Sequence, residues 1–243
     1  MVIENYQIDN LLINEFIHKY YGFGDVRSKF WFVGMEEGGG NTKDEFDNRI
    51  RAWDKLGKKT LVDVAKYHEI IGINRFFIEP VKLQSTWNKL IRIYLSSQGL
   101  QITTDDVRQY QKNHLGRSDQ NTSLLELLPL ASPSVNEWRY SSWTDHPLLK
   151  SRDNYRERTL PSRIKNLRWL IEENHPVVVV FYGQSNEEYW ERVVSAPMKF
   201  DRTLDIKYFR KKDTLFVSIK HPVYKGLTNE YFHQIGRWIS SQE

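Results

Sequence analysis

The stretch from Lys29 to Asn41, Lys-Phe-Trp-Phe-Val-Gly-Met-Glu-Glu-Gly-Gly-Gly-Asn, limits the fold more than any other. Phe30 to Val33 is a short apolar run that predicts a buried strand ending on Gly34. The loop after it carries two adjacent carboxylates, Glu36 and Glu37, then Gly38, Gly39 and Gly40, where the backbone can approach a ligand closely. Open α/β sheets build sites in this way, at the carboxyl ends of their strands.

The rest of the chain repeats the pattern of strand, polar or turn residue, helix. Leu11, Leu12, Phe16 and Ile17 predict a helix over Asp9 to Tyr20, capped by Asp9 or Asn10 and stopped by Gly22 and Gly24. Lys43 to Leu56 reads as a solvated helix, and Thr60 to Ile71 as another with Thr60 as its cap and Asp63 three residues on. Leu83 to Ser97 is amphipathic and closes at Gly99, and Thr104 to Leu115 opens on a cap-like Thr-Asp-Asp. Gly116 to Thr122 is a polar loop. Leu124 to Leu130 is a second buried strand with Glu126 inside it, and Pro129 and Pro133 keep it from continuing as helix.

Val135 to Arg158 has many aromatics and charges but no clear period. Pro161 to Asn174 predicts a basic helix with Pro161 in its first turn, feeding the strongest strand, Val177 to Tyr182, which ends on Gly183. Asn186 to Val194 is helical, Phe200 to Phe209 an edge strand, Thr214 to Lys220 a strand running into His221-Pro222, and Tyr231 to Ile239 the closing helix. Strands ending in Gly-Met-Glu-Glu, Pro-Leu-Ala-Ser, Tyr-Gly and His-Pro, separated by helices, predict a parallel sheet with helices on both faces.

Composition narrows the chemistry. The chain has no Cys, which excludes disulfides, thiolate metal sites and a Cys nucleophile, and points by default to a reducing compartment, read as the cytoplasm. No apolar run approaches a membrane span, and the opening residues Met-Val-Ile-Glu-Asn-Tyr lack the order of a signal peptide. A net charge of +4 permits a polyanionic partner without demanding one, and 14% aromatic residues supply surfaces on which bases can stack.

In order and strand placement, strand-Gly-Met-Glu-Glu-Gly, strand-Glu-Leu-Leu-Pro-Leu, strand-Tyr-Gly and strand-His-Pro-helix resemble the uracil-DNA glycosylase superfamily, most of all its single-strand-selective monofunctional branch. The likeness runs roughly from Lys29 to Trp238. It implies one domain over residues 1–243, three-layered with a central mostly parallel sheet flanked by helices. It also implies base flipping followed by hydrolysis of the N-glycosidic bond, DNA as partner, and no metal or organic cofactor; the expected state is a monomer.

Residue by residue, Glu36 falls where that superfamily places the Asn or Asp that positions or activates the attacking water. His221 matches the histidine that stabilises charge on the departing base. Gly34, Met35, Glu37, Gly38, Gly39 and Tyr182 are expected to line the base, with Glu37 standing in place of the usual Pro. The glycines are expected to enlarge the space around it. Where the superfamily has an Asn that accepts from uracil N3–H and donates to O4, this chain has Glu126. An ionised carboxylate only accepts, so it disfavours uracil O4 and favours the N4 amino group of cytosine; a protonated one can also donate to cytosine N3. The expected substrate is therefore a modified, bulky cytosine such as phage DNA carries, in a defence or repair role.

After His221-Pro222 the chain has Val223-Tyr224-Lys225-Gly226-Leu227 where the superfamily continues with Ser and a wedge. Tyr224 or Leu227 is the candidate wedge, Lys225 a phosphate contact, and Arg210, Lys211 and Lys212 further contacts. Arg163, Lys165 and Arg168 read by default as a solvated face. The absence of Lys from the catalytic loop, with Lys43 the nearest downstream, favours a monofunctional enzyme over a lyase. Two other readings stand beside it: a non-catalytic nucleic-acid-binding module on the same fold, and a metal-dependent nuclease using Glu36, Glu37 and Asp44.

Overall fold

A computed structural model describes residues 8–134 and 136–242; the opening Met-Val-Ile-Glu-Asn-Tyr and Val135 lie outside the described residues. The strands are β1 (Gly22–Phe23), β2 (Phe30–Gly34), β3 (Leu61–Val62), β4 (Thr122–Glu126), β5 (Val178–Tyr182), β6 (Lys199–Asp201), β7 (Ile206–Lys211) and β8 (Thr214–Ile219). They form one sheet in the order β3-β1-β4-β2-β5-β8-β7-β6. The central run β4-β2-β5-β8 is parallel throughout, while β1 against β4 and the pairs β6-β7 and β7-β8 are antiparallel. The result is an α/β protein with a mixed, mostly parallel sheet.

The helices are α1 (Asn10–Lys19), α2 (Lys43–Lys55), α3 (Val64–Ile70), α4 (Ser85–Ser97), α5 (Thr104–Asn113), α6 (Arg152–Asn174), α7 (Glu187–Val194) and α8 (Asn229–Ser240). All residues of β2, β5 and β8 are buried, as expected of strands covered on both faces. On one face Phe30 meets Tyr94 of α4 at 5.4 Å between ring centroids, and α4 packs along α8. Helices α1, α2, α6 and α7 form the second packed group. Among the described residues no helix is long and apolar enough to cross a membrane.

Several local expectations are corrected. Gly22 does not merely stop α1 but joins Phe23 in a strand, and residues 61–62 form the edge strand β3, so that Asp63 rather than Thr60 caps α3. Helix α2 is not a solvated helix: Phe46, Ile50, Ala52 and Trp53 are buried. The cap of α5 is Thr103, whose capping box closes with Asp106. Instead of one edge strand, residues 199–211 form β6 and β7 of a hairpin. Pro161 lies inside α6, which begins nine residues earlier than predicted, at Arg152 behind the Ser151 cap. The aperiodic stretch before it holds two short 3-10 turns, Tyr140–Ser142 and Pro147–Leu149.

Candidate active site

The four parallel strands deliver their last residues to one rim. Gly34 of β2 pairs in register with Glu126 of β4, and Tyr182 of β5 with Ile219 of β8, two residues before His221. The chain leaves β2 for β4 on one side and later reaches β5 on the other, which makes the carboxyl end of β2 the switch point where open α/β sheets form their crevices. Past its end, residues 35–38 run beside 127–132: Leu127 and Leu128 N–H donate to Gly34 and Met35 O at 2.8 Å, and Ser132 N–H donates to Glu37 O at 2.9 Å.

Gly34 is required here by close approach. A Cβ at this position would lie 2.4 Å from Glu126 Oε2 and 2.4 Å from the Tyr182 hydroxyl oxygen. Tyr182 Oη donates to Glu126 Oε1 at 2.5 Å, while Glu126 Oε2 is buried without a partner. Burial drives the Glu126 carboxyl well above the usual carboxylate range; the Tyr182 hydrogen bond opposes this, and Glu37 and Glu36 add to it. Burial thus favours the protonated carboxyl, whose Oε2 has no hydrogen-bond partner. Gly34→Ala is expected to force Tyr182 and Glu126 apart and to destabilise the protein by ~1–3 kcal/mol, measured by urea unfolding; an unchanged midpoint would show that the two side chains are not locked together.

A raised carboxyl pKa in the folded state carries a sign. Its stabilising share is complete below the unfolded value, about 4.3, and is lost as pH rises toward the folded value. Glu126→Gln does not titrate, so its melting temperature relative to the parent protein is expected to rise steadily from acid to neutral pH. A pH-independent difference would mean that Glu126 ionises as in water.

The two loop carboxylates are held by separate arginines that sequence reasoning missed. Arg152, at the first turn of α6, pairs with Glu36 and donates to Ser132 Oγ at 2.9 Å. The side chains of this pair are 13% and 14% exposed, so it belongs to the interior. Burial raises the Glu36 carboxyl against the pull of Arg152 and Arg156. Arg49 of α2 pairs with Glu37 and reaches Glu45 at 3.1 Å. Glu36, Glu37 and Asp44 do not converge: among the described residues no group of three or more His, Asp or Glu side chains can hold a metal ion.

His221 closes the far side of the crevice, its ring 5.7 Å from that of Tyr182 at 65°. Val223 N–H donates to Nδ1 at 3.4 Å, which leaves the imidazole proton on Nε2. Desolvation lowers the His221 pKa, so the ring is a neutral donor near neutral pH. Tyr224 is 60% exposed beside it, with the Lys220 amine 5.8 Å from its ring. Lys225 is exposed on the same loop.

Several expected contacts fall elsewhere. Leu227 packs against the core instead of standing free as a wedge. Lys211 and Lys212 sit at the turn before β8, at the opposite end of the sheet, and Lys211 is paired with Glu172 at 3.0 Å. Gly39 and Gly40 do not enlarge the crevice: a Cβ would meet Glu45 Oε1 at 2.5 Å and Ala131 O at 2.3 Å, respectively, so the protein itself fills the space. Only Gly38 of the three faces open space.

Arg163 is not on a solvated face either. It is fully buried and donates to the carbonyls of Leu127 at 2.8 Å, Glu126 at 2.9 Å, Tyr20 at 2.7 Å and Ile17 at 3.1 Å. It thereby fixes the backbone from which Glu126 projects. Arg168 is spent on the carbonyls of Val193 and Arg192. With that residue, Ile171, His175, Lys212 and Phe216 line a cavity of about 350 Å³ at the far end of the sheet from the carboxylates. No protein-family model matches the chain, and comparison with curated proteins finds no match.

Proposed function

We propose that the chain is a monofunctional DNA glycosylase on a uracil-DNA glycosylase-like fold that extrudes a modified cytosine and hydrolyses its N-glycosidic bond, leaving an abasic site. The observation that carries this reading is the buried, unpartnered Glu126 Oε2 beside Tyr182 on a rim shared with Glu36 and His221. In its protonated form Glu126 can donate to cytosine N3, while Oε1 retains a lone pair for the N4 amino group. Uracil presents the reverse pattern at these two positions and is disfavoured.

In the chemical step a water oxygen bonds to C1′ of the sugar while the C1′–N bond breaks. The electron pair passes to the base, where the His221 Nε2–H meets the developing charge, and Glu36 accepts the water proton. Arg152 holds Glu36 through one carboxylate oxygen and leaves the other for the water. A residence of the protein in the cytoplasm, and a defence role against phage DNA, accord with this chemistry.

The test incubates the purified protein, with EDTA present, with plain, uracil-containing and modified-cytosine phage DNA, then reveals abasic sites by mild alkali. Breaks only in the modified DNA are expected. Excision of plain uracil with no preference for modified cytosine would overturn the base assignment. One observation favours a second reading, a nucleic-acid-binding module without chemistry: the buried ion pair to Arg152 occupies the proposed base. Binding without product, unaffected by Glu36→Ala, would establish that reading.

A further inference from the structure

A second cavity, about 260 Å³, opens on the side of α6 and is lined by Asp153, Arg156, Glu157, Leu160, Tyr189 and Arg192. Arg156 lies one turn of α6, about 6 Å, from Arg152, the partner of Glu36. Through that helix turn the cavity stands next to the arginine that holds Glu36. Tyr189 of α7 is close to two cations, with the Arg156 and Arg192 guanidinium carbons 5.7 and 5.9 Å from its ring centroid. Arg156 Nη2 donates to Tyr189 Oη at 3.2 Å, which leaves the hydroxyl proton free to donate onward.

Among the described residues neither guanidinium takes part in an ion pair, although two carboxylates share the lining. This differs from the larger cavity, where Lys211 is neutralised by Glu172 and Arg168 is spent on carbonyls. Two guanidiniums and a hydroxyl with unused donors match a phosphate. Asp153 and Glu157 repel loosely held anions, so the ligand selected here is one tethered by contacts nearby.

The geometry points to Arg156, Arg192 and the Tyr189 hydroxyl as a clamp for one backbone phosphate of a nucleic-acid strand whose neighbouring nucleotide occupies the rim crevice. This rests on the DNA reading of the rim. Phosphate contacts of this kind set register and carry no sequence information, so the clamp acts on affinity and not on the choice of base.

The test measures fluorescence anisotropy of a labelled single-stranded oligonucleotide across a salt series, for the parent protein, the Arg156→Gln/Arg192→Gln double variant, Tyr189→Phe and a Lys212→Gln control. Circular dichroism melts confirm that each is folded. The double variant is expected to bind ~10-fold more weakly at low salt, with the slope of log K against log salt reduced by about 1 to 2. Tyr189→Phe should lose a few-fold, and Lys212→Gln nothing. The excision rate at saturating DNA should be unchanged in Tyr189→Phe and Lys212→Gln, while the double variant, which also removes the Arg156 charge acting on Glu36, is judged by its binding alone. Equal slopes in the parent and the double variant, with excision intact in the parent, overturn the clamp and leave the glycosylase reading standing. No binding by the parent protein at any salt overturns both. Inorganic phosphate raising the melting temperature of the parent alone, while oligonucleotide affinities stay equal, would reassign the cavity to a free anion and overturn the clamp.

Discussion

Replacing Arg163 with Met is expected to destabilise the protein by roughly 4 kcal/mol or more, the largest single-residue effect on stability in the chain. The guanidinium is buried without a carboxylate and is tolerated there because it donates to the carbonyls of Leu127, Glu126, Tyr20 and Ile17. It also lies on the Tyr21 ring, 3.3 Å from the centroid, and the Tyr21 hydroxyl donates back to the Arg163 carbonyl at 3.1 Å. Methionine fills the volume but leaves four buried acceptors without donors. Lysine keeps the charge but not the planar fork, so Arg163→Lys should recover only part of the loss. Urea unfolding measures both; a change below about 1 kcal/mol for Arg163→Met would show that these carbonyls reach water.

The largest effect on activity is expected from Glu36→Gln, a loss of ~10²–10⁴-fold in the rate of base excision. The amide oxygen can still accept from Arg152, so the loop keeps its path and the melting temperature should move little. The variant loses the capacity to take a proton from water. Single-turnover excision on modified-cytosine DNA, with the uncleaved complex followed by anisotropy, separates the two quantities. Undiminished excision by the variant would remove Glu36 from water activation and turn attention to Glu37. A loss of binding equal to the loss of rate would show that Glu36 serves only to hold the site together.

The residues at the ends of long apolar runs were legible because runs such as Phe30 to Val33 and Val178 to Phe181 can only be covered strands, and the chain must turn where such a strand ends. The reading of Leu124 to Leu130 as one strand puts Glu126 inside it, whereas β4 runs from Thr122 and ends on Glu126, with Pro129 beyond the ladder. The cations that hold the carboxylates were not legible. Glu36 and Arg152 are 116 residues apart, and nothing in local spacing links them. Arg163 has the sequence environment of an exposed helix position, and only the carbonyls of other segments make it interior. Pro161 misled the start of α6 because proline favours first turns, whereas here the helix continues through it. The strands β1 and β3 have two residues each, too few for any periodicity to show.

Helix α6 has a consequence for how this molecule can change. Arg152 near its start pairs with Glu36, and Arg163, eleven residues on, holds the backbone carbonyl of Glu126. Eleven residues are about three full turns, so both arginines leave the same side of one rod. The separation of the two carboxylates is thus copied from a length of helix rather than set by the loops that bear them. One residue inserted between positions 152 and 163 would swing Arg152 by about 100° around the axis and leave Glu36 unsupported, though every side chain of the rim were still present. Loop residues along the rim can vary in kind; the number of residues in this part of the helix cannot.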